Sequence, residues 1–327
     1  MARTTGLKAI AYELGISVNS VSRALRDCPD ISNHTKELVR KKALELGYVQ
    51  STVANFIKKD DAKTIAVIIN NFENLYFSVC LRILSSKIRD KGFEISVLCI
   101  LKNKVDDEVI KQCLSQRIDG IISLVTFEEK AIDCCKLNNI PVCLMGIGAE
   151  KDEYCDVVDS DHESGSSYAA NYLYNYHKFR KFVFVDNPKA KNTEDKYQLF
   201  EKALKKLSTN VEIVRILPED LYTKALKLLD NDYFGFFCYN DEIAYECLYI
   251  LNKSFPNFRK NYPRFHIVGV DALSTRIHGM TDISSVDLNL EEIADQAIEL
   301  IIQRFENVNR KSKHIIMPIK FHQRVLF

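Results

Sequence analysis

No run of twenty apolar residues occurs in this 327-residue chain, so no helix in it is expected to span a membrane. The first seven residues are polar and run straight into an amphipathic helix. No export signal is read there, and a cytoplasmic location is expected. The short patterns of common catalytic chemistry are also missing. There is no G-x-x-x-x-G-K-[ST] loop, no G-x-G-x-x-G after a strand, no G-x-S-x-G and no H-E-x-x-H. The seven histidines are scattered. These absences argue against an enzyme, and no catalytic residue is assigned. Ten cysteines are present, but none is spaced C-x-x-C and several lie inside apolar runs such as ISVLCI, PVCLM and FGFFC. Buried cysteine behaves as a small hydrophobe. Reduced core thiols are therefore expected, with neither metal nor cofactor.

What is present is concentrated at the N-terminus. Residues 7–25, LKAIAYELGISVNSVSRAL, read as two short helices joined by a tight turn. Leu7, Ile10, Ala11 and Leu14 recur at helical spacing. Gly15 supplies the left-handed stop, and Ile16 plugs the corner. Ser17 is a fitting N-cap for a second helix through Val21, Ala24 and Leu25. This is a helix-turn-helix pattern, whose second helix enters the major groove. Two ordinary core helices would show the same apolar spacing. They would not require the polar face formed by Ser17, Asn19, Ser20, Ser22 and Arg23, groups that contact phosphates and bases. Residues 1–59 hold ten Lys and Arg against five acids, a net charge of +5, while the remainder carries −4. A basic head on a mildly acidic body fits a polyanion-binding module joined to a sensor.

Ser32 can cap a third helix with apolar positions Leu38, Val39, Ala43 and Leu46, stopped by Gly47. The segment STVANFIKK, residues 51–59, is short enough to order only when a partner is present. From Lys63 onward, the runs TIAVII, EISVLCI, DGIISL, PVCLM, KFVFV, VEIVRI, GFFCY and FHIVGV alternate with helical patterns at 79–91, 108–116, 165–176, 196–207, 241–252 and 290–305. Such alternation predicts parallel sheets covered on both faces. Tandem units near 63–158 and 159–286 predict two doubly wound lobes, with a helix and the strand HIIMPIKF returning late in the chain. Ligands in such sheets bind beyond the carboxyl ends of the strands, here in the cleft between lobes. The expected fold class is α/β. It comprises a helix-turn-helix domain at 1–49, a hinge helix and linker at 50–62, and a two-lobed parallel-sheet domain at 63–327 for effector binding and dimerisation.

Over essentially its full length the chain resembles the LacI/GalR family of bacterial transcription regulators. The resemblance runs through ISVNSVSRAL, DISNHTKELVRKKALELGYV, KTIAVII followed by Asn74, Tyr76 and Phe77, RIDGIISL, NIPVCLM, VDSDHESG, KYQLFEKAL, YNDEIAYECL, HIVGVDAL and ISSVD. It implies a periplasmic-binding-protein-like sensor in the body. It also implies base reading by Val18 and Asn19, with Arg23 one turn later. Asn can pair with adenine, and Val can pack on a thymine methyl. Ser17, Ser22 and Tyr48 join this DNA-binding set. Ile57 stands where the family inserts a minor-groove wedge; the alternative is that it packs on the body.

The resemblance further implies effector contacts from Phe72, Tyr76 and Phe77 after the first strand, Asp161 at the lobe crossing, Lys196, Asn240 and Asp271. Helix capping is the alternative role for Asn240, and a strand-end turn for Asp271. Lys196 stands where many members have Arg, and MGIG where many have an acidic–basic pair, so the cleft is expected to be less decorated with charge than that of a typical sugar sensor. The implied function is a homodimeric repressor that binds double-stranded operator DNA and answers to a sugar or sugar derivative. The competing reading keeps the DNA-binding regulator but makes the cleft vestigial or a site for a protein partner. A transport solute-binding protein would need an export signal and no DNA-binding head.

Overall fold

The computed structural model describes residues 7–25, 27–45, 63–147, 153–188, 190, 193–221, 234–254, 265–281 and 283–324. The chain divides into two compact units, Met1–Ala62 and Lys63–Phe327. The hinge positions, including Ile57, and Tyr48 lie outside the described residues.

The first unit holds α1 (Leu7–Leu14), α2 (Val18–Leu25) and α3 (Asn33–Glu45). Gly15 ends α1 at φ 63°, a conformation that costs glycine little. Ser17 Oγ accepts the Ser20 N–H at 3.0 Å, and Ser32 Oγ accepts the Thr35 N–H at 3.2 Å. Both serines therefore satisfy helix-start donors that would otherwise be orphaned. Ile10, Ala11, Val21, Ala24, Val39 and Ala43 form the core, with Ile16 packed against it. Leu38 is 44% exposed, contrary to the sequence reading. The buried stripe of α3 runs instead through Lys36, Val39 and Ala43, which share one face at helical spacing. The Lys36 stem is buried while its ammonium reaches Asp27 at 3.1 Å.

The second unit contains two six-stranded sheets. In the first lobe, β1 (Thr64–Ile69), α4 (Leu75–Asp90), β2 (Glu94–Cys99), α5 (Asp107–Ser115), β3 (Gly120–Ser123), α6 (Glu129–Leu137), β4 (Val142–Met145) and β5 (Asp156–Ser160) follow one another. The second lobe is built from α7 (His162–Asn171), which continues as a π-helical turn over Tyr172–Tyr176, then β6 (Lys181–Val185), α8 (Thr193–Leu207), β7 (Glu212–Ile216), β8 (Phe234–Cys238), α9 (Asp241–Ser254), β9 (His266–Val270) and β10 (Ser284–Asp287). The late elements are α10 (Leu290–Glu306), β11 (His314–Met317) and β12 (Lys320–His322). Sheet order is β11-β5-β4-β3-β1-β2 in the first lobe and β12-β10-β9-β8-β6-β7 in the second. Among the described strands all pairings are parallel except β10 with β12.

The central strands β1, β3 and β4 are buried along nearly their whole length, as the continuous apolar runs require. Strand β5 and helix α6 were not among the elements read from sequence. The chain crosses between lobes three times, after β5, after β10 and between β11 and β12. Helix α10 returns to the first lobe and packs on α4, β3, β4 and β5. Its C-terminal half is fastened there by Asp156, which is fully buried. Asp156 accepts from Arg304 Nε at 3.0 Å, from both terminal nitrogens of Arg310 at 2.9 and 2.7 Å, and from the Lys313 N–H at 2.7 Å.

Candidate functional site

On the head, α2 has a buried face and a free one. Val21 and Ala24 are buried, while Ser17, Val18 and Asn19 are exposed and Ser22 and Arg23 are half-buried. Val18 is 41% exposed. The Arg23 guanidinium lies 2.5 Å from Asp30, and this hydrogen-bonded pairing holds its pKa above the ordinary value. An outward Val–Asn pair at a helix N-terminus is suited to apolar contact with a thymine methyl beside a bidentate amide contact. Asn19→Ala is expected to relax preference at one base pair by about 1–3 kcal/mol. Competition binding on operator variants checks this. Equal losses on operator and random DNA would contradict it.

In the body, the two lobes meet at the carboxyl ends of their strands. The Leu75 N–H, at the start of α4, donates to Glu242 Oε1 of α9 at 2.8 Å, directly across the lobes. Asn74 caps α4 by accepting the Tyr76 N–H at 2.9 Å. The Tyr76 hydroxyl then donates to the Gly146 carbonyl at 3.2 Å. Gly146 has φ 65°, and a Cβ there would overlap the phenol oxygen. The MGIG segment thus supplies the space that the tyrosine fills. Burial raises the Tyr76 pKa well above its ordinary value, with further contributions from Cys80, Asp271 and Asp159.

From the second lobe, Asp271 follows β9 at φ 108°, a conformation rare for a residue with a side chain. The turn is tied on all sides. The Asp271 N–H donates to Val286 O at 2.9 Å. The Ala272 N–H donates to Ser285 Oγ at 2.9 Å, and the Leu273 N–H to Asp241 Oδ2 at 2.7 Å. Arg276 donates to the carbonyls of Asp271 and Ala272 and pairs with Asp287 at 2.7 Å. Asp241 also accepts from Ser285 Oγ at 2.7 Å; burial pushes its carboxyl up to about 7 against these hydrogen bonds. Lys196, on α8, points inward, donating to Tyr239 O at 3.1 Å with its ammonium 4.1 Å from the tyrosine ring centre. Burial lowers the Lys196 pKa, while Asp271, Asp159 and Asp241 oppose the shift. Burial raises Asp271 well above the carboxylate range, and Lys196 opposes that.

Of the residues expected to meet an effector, Tyr76 and Lys196 each feel the charge of Asp271. The others are placed differently. Phe72 is 60% exposed on the rim, and Phe77 packs edge-on against Tyr76 at 5.6 Å. Asp161 is a helix cap: its Oδ1 accepts the Ser164 N–H at 2.9 Å and its Oδ2 the Ser164 hydroxyl at 2.6 Å, which hold its pKa down. Asn240 Oδ1 caps α9 by accepting the Ile243 N–H at 3.0 Å. Asp159 and Asp241, together with Asp271, act electrostatically on Lys196. Asp159 is 3% exposed and accepts the Ser160 N–H at 2.7 Å, with His162 Nε2 at 3.2 Å. Its signal in the sequence is the paired acids of VDSD.

No protein-family model matches the sequence. The chain is 22% identical over 319 residues to the HTH-type transcriptional repressor PurR of Pasteurella multocida, covering 94% of this chain and 93% of that one. Its fold matches a LacI-family transcriptional regulator from Silicibacter pomeroyi with a TM-score of 0.72 at 21% identity, covering 98% of each chain. It likewise matches the lac repressor dimer bound to operator and the anti-inducer ONPF, with a TM-score of 0.71 at 15% identity and 98% of each chain covered.

Proposed function

We propose, from its full-length likeness to a PurR repressor and to a LacI-family regulator, that this chain is a LacI-family transcriptional regulator, a homodimeric, operator-binding repressor answering to a small molecule held between its lobes. Two heads bind the half-sites of a near-palindromic operator, and the bodies supply the two-fold contact. Val18 and Asn19 read bases, Ser17, Ser22 and Arg23 hold phosphates or neighbouring base edges, and Tyr48 and Ile57 belong to the same interface. The observation that carries this reading is α2, capped by Ser17 and buried through Val21 and Ala24 while Val18 and Asn19 face outward. The effector, a sugar or sugar derivative, is received by Tyr76, Lys196 and Asp271, with Phe72 at the rim. Ligand binding shifts the balance between lobe arrangements, and operator affinity follows through linkage.

The use of Asp161 and Asn240 as helix caps favours the competing reading of a cleft without a ligand. The Asp271 carboxylate, which accepts no hydrogen bond among the described residues, favours a sensor. Selection of duplexes from a random library by the purified chain tests the regulator directly. Enrichment of one near-palindromic sequence is expected, and recovery of unenriched DNA would overturn the reading. Affinity for the selected site is expected to fall about a thousandfold between roughly 50 and 200 mM salt, as phosphate contacts release counterions. A flat titration would contradict a phosphate-gripping head.

A further inference from the structure

The head carries a formal charge of +5 over residues 1–59, yet much of its positive charge is already engaged. Lys42 lies 2.7 Å from Glu45. In the turn between α2 and α3, Asp27 takes both Lys36 and Arg40 at 3.1 Å. Asp30, in the same turn, takes Arg23 at 2.5 Å. The first three cations belong to α3. Arg23 belongs to α2, the helix that presents Val18 and Asn19.

Arg23 stands four residues after Asn19, one turn further along the same side of α2. It therefore flanks the outward side and not the buried side of Val21 and Ala24. Its Nη2 meets Asp30 Oδ2, and the Cys28 thiol adds a weaker contact to the same guanidinium. The pairing holds the Asp30 carboxyl below its ordinary range. Both side chains are open to solvent, where an ion pair adds little to stability. What the pair does change is the availability of Arg23. A guanidinium has five protons. Asp30 holds one of them, restrains the direction of the group and offsets its charge.

Resting on the reading of the head as an operator-binding module, we propose that Asp30 is a positioning residue for specificity, holding Arg23 back from phosphates and keeping it for a base edge. A phosphate attracts chiefly by charge. To grip one, Arg23 must leave Asp30 or carry that carboxylate towards the DNA backbone, and either course weakens binding. A guanine instead offers N7 and O6 as two directed acceptors. The remaining protons of Arg23 can be offered to them while the pair with Asp30 is kept. The carboxylate thus weakens Arg23 as a charge and retains it as a directional donor. Random duplex DNA loses more by this than a matched site does.

Fluorescence anisotropy of the full chain tests this, on the duplex selected from a random library and on a scrambled duplex of equal length. Asp30→Asn is expected to tighten binding to the scrambled duplex about tenfold and to move the selected duplex by less than about threefold, so that discrimination falls. The salt dependence on the scrambled duplex should steepen by about one phosphate contact. Asp30→Glu, which keeps the charge, should retain discrimination. Asp27→Asn, whose partners lie on α3, should raise affinity for both duplexes alike. In a chain that also carries Arg23→Ala, Asp30→Asn should have no further effect. If Asp30→Asn tightens both duplexes equally, or acts as strongly without Arg23, Asp30 is a repelling charge and the inference fails while the operator reading stands. Loss of helix by circular dichroism in both Asp30→Asn and Asp30→Glu would mark a structural residue and overturn it equally. If the parent chain selects no sequence at all, the operator reading fails and the inference falls with it.

Discussion

Replacing Asp156 by Ala is expected to destabilise the body by about 3–5 kcal/mol, the usual cost of leaving a buried charge without its partner. Asp156 is fully buried at the start of β5, and Arg304 beside it is 3% exposed. Without the carboxylate, the Arg304 guanidinium keeps hydrogen bonds to the Tyr154 and Val308 carbonyls but loses its counter-charge. Arg310 Nε is already buried without a partner among the described residues, so that side chain has little further capacity to adjust. The same substitution frees the Lys313 N–H that leads into β11. Urea denaturation of the full chain measures the effect. A loss below about 1 kcal/mol, the range of exposed pairs, would show that the cluster is solvated and dispensable.

The second large effect concerns the cleft. Asp271→Ala is expected to abolish the effector's influence on operator affinity, a coupling commonly of about 1–3 kcal/mol, while the unliganded chain binds operator normally. A side chain that touches only the ligand removes the differential affinity without biasing the empty states. Stability supplies an independent readout. The Asp271 carboxyl is raised by burial, so the folded state holds its proton more tightly than the unfolded chain. Its contribution therefore becomes unfavourable as pH rises above the ordinary carboxylate range. The alanine variant should be at least as stable as the parent near neutrality, with the difference closing below about pH 4. Denaturation across pH, alongside operator titrations with and without effector, checks both halves. A variant destabilised at neutral pH would mark Asp271 as a structural residue of the turn.

The helix-turn-helix could be read from sequence because its determinants are local. Gly15, Ser17 and Ser32 act through neighbours within a few residues, and each does in the structure what its type prescribes. Leu38 has the type of a core residue, but Lys36 takes the buried position by laying its stem along the core. Strand β5 is hidden in the sequence for a longer-range reason. Only Val157 and Val158 in DVVDS are apolar, and the burial of Asp156 depends on two arginines about 150 positions later. The cleft was half legible. An acid at a strand end serves equally as helix cap or ligand acceptor, and orientation alone separates Asp161 from Asp271. Gly146 stood out as a departure from the family pattern. Its cause, the phenol of Tyr76 lying over it, depends on packing that the sequence does not display.

The return of α10 and β11 to the first lobe has a consequence in time. During synthesis β1 to β5 emerge long before the helix that covers β3, β4 and β5. At ribosomal speeds of about 5–20 residues per second, the interval between Ser160 and Arg304 lasts roughly seven to thirty seconds. Through that interval the apolar face awaiting α10 is bare and one sheet edge is unpaired. The core of the second lobe, β6 to β10, is meanwhile complete in sequence. The nascent chain thus matures out of order, its middle ahead of its beginning, and its hazard of misassembly on the ribosome is concentrated in the lobe made first.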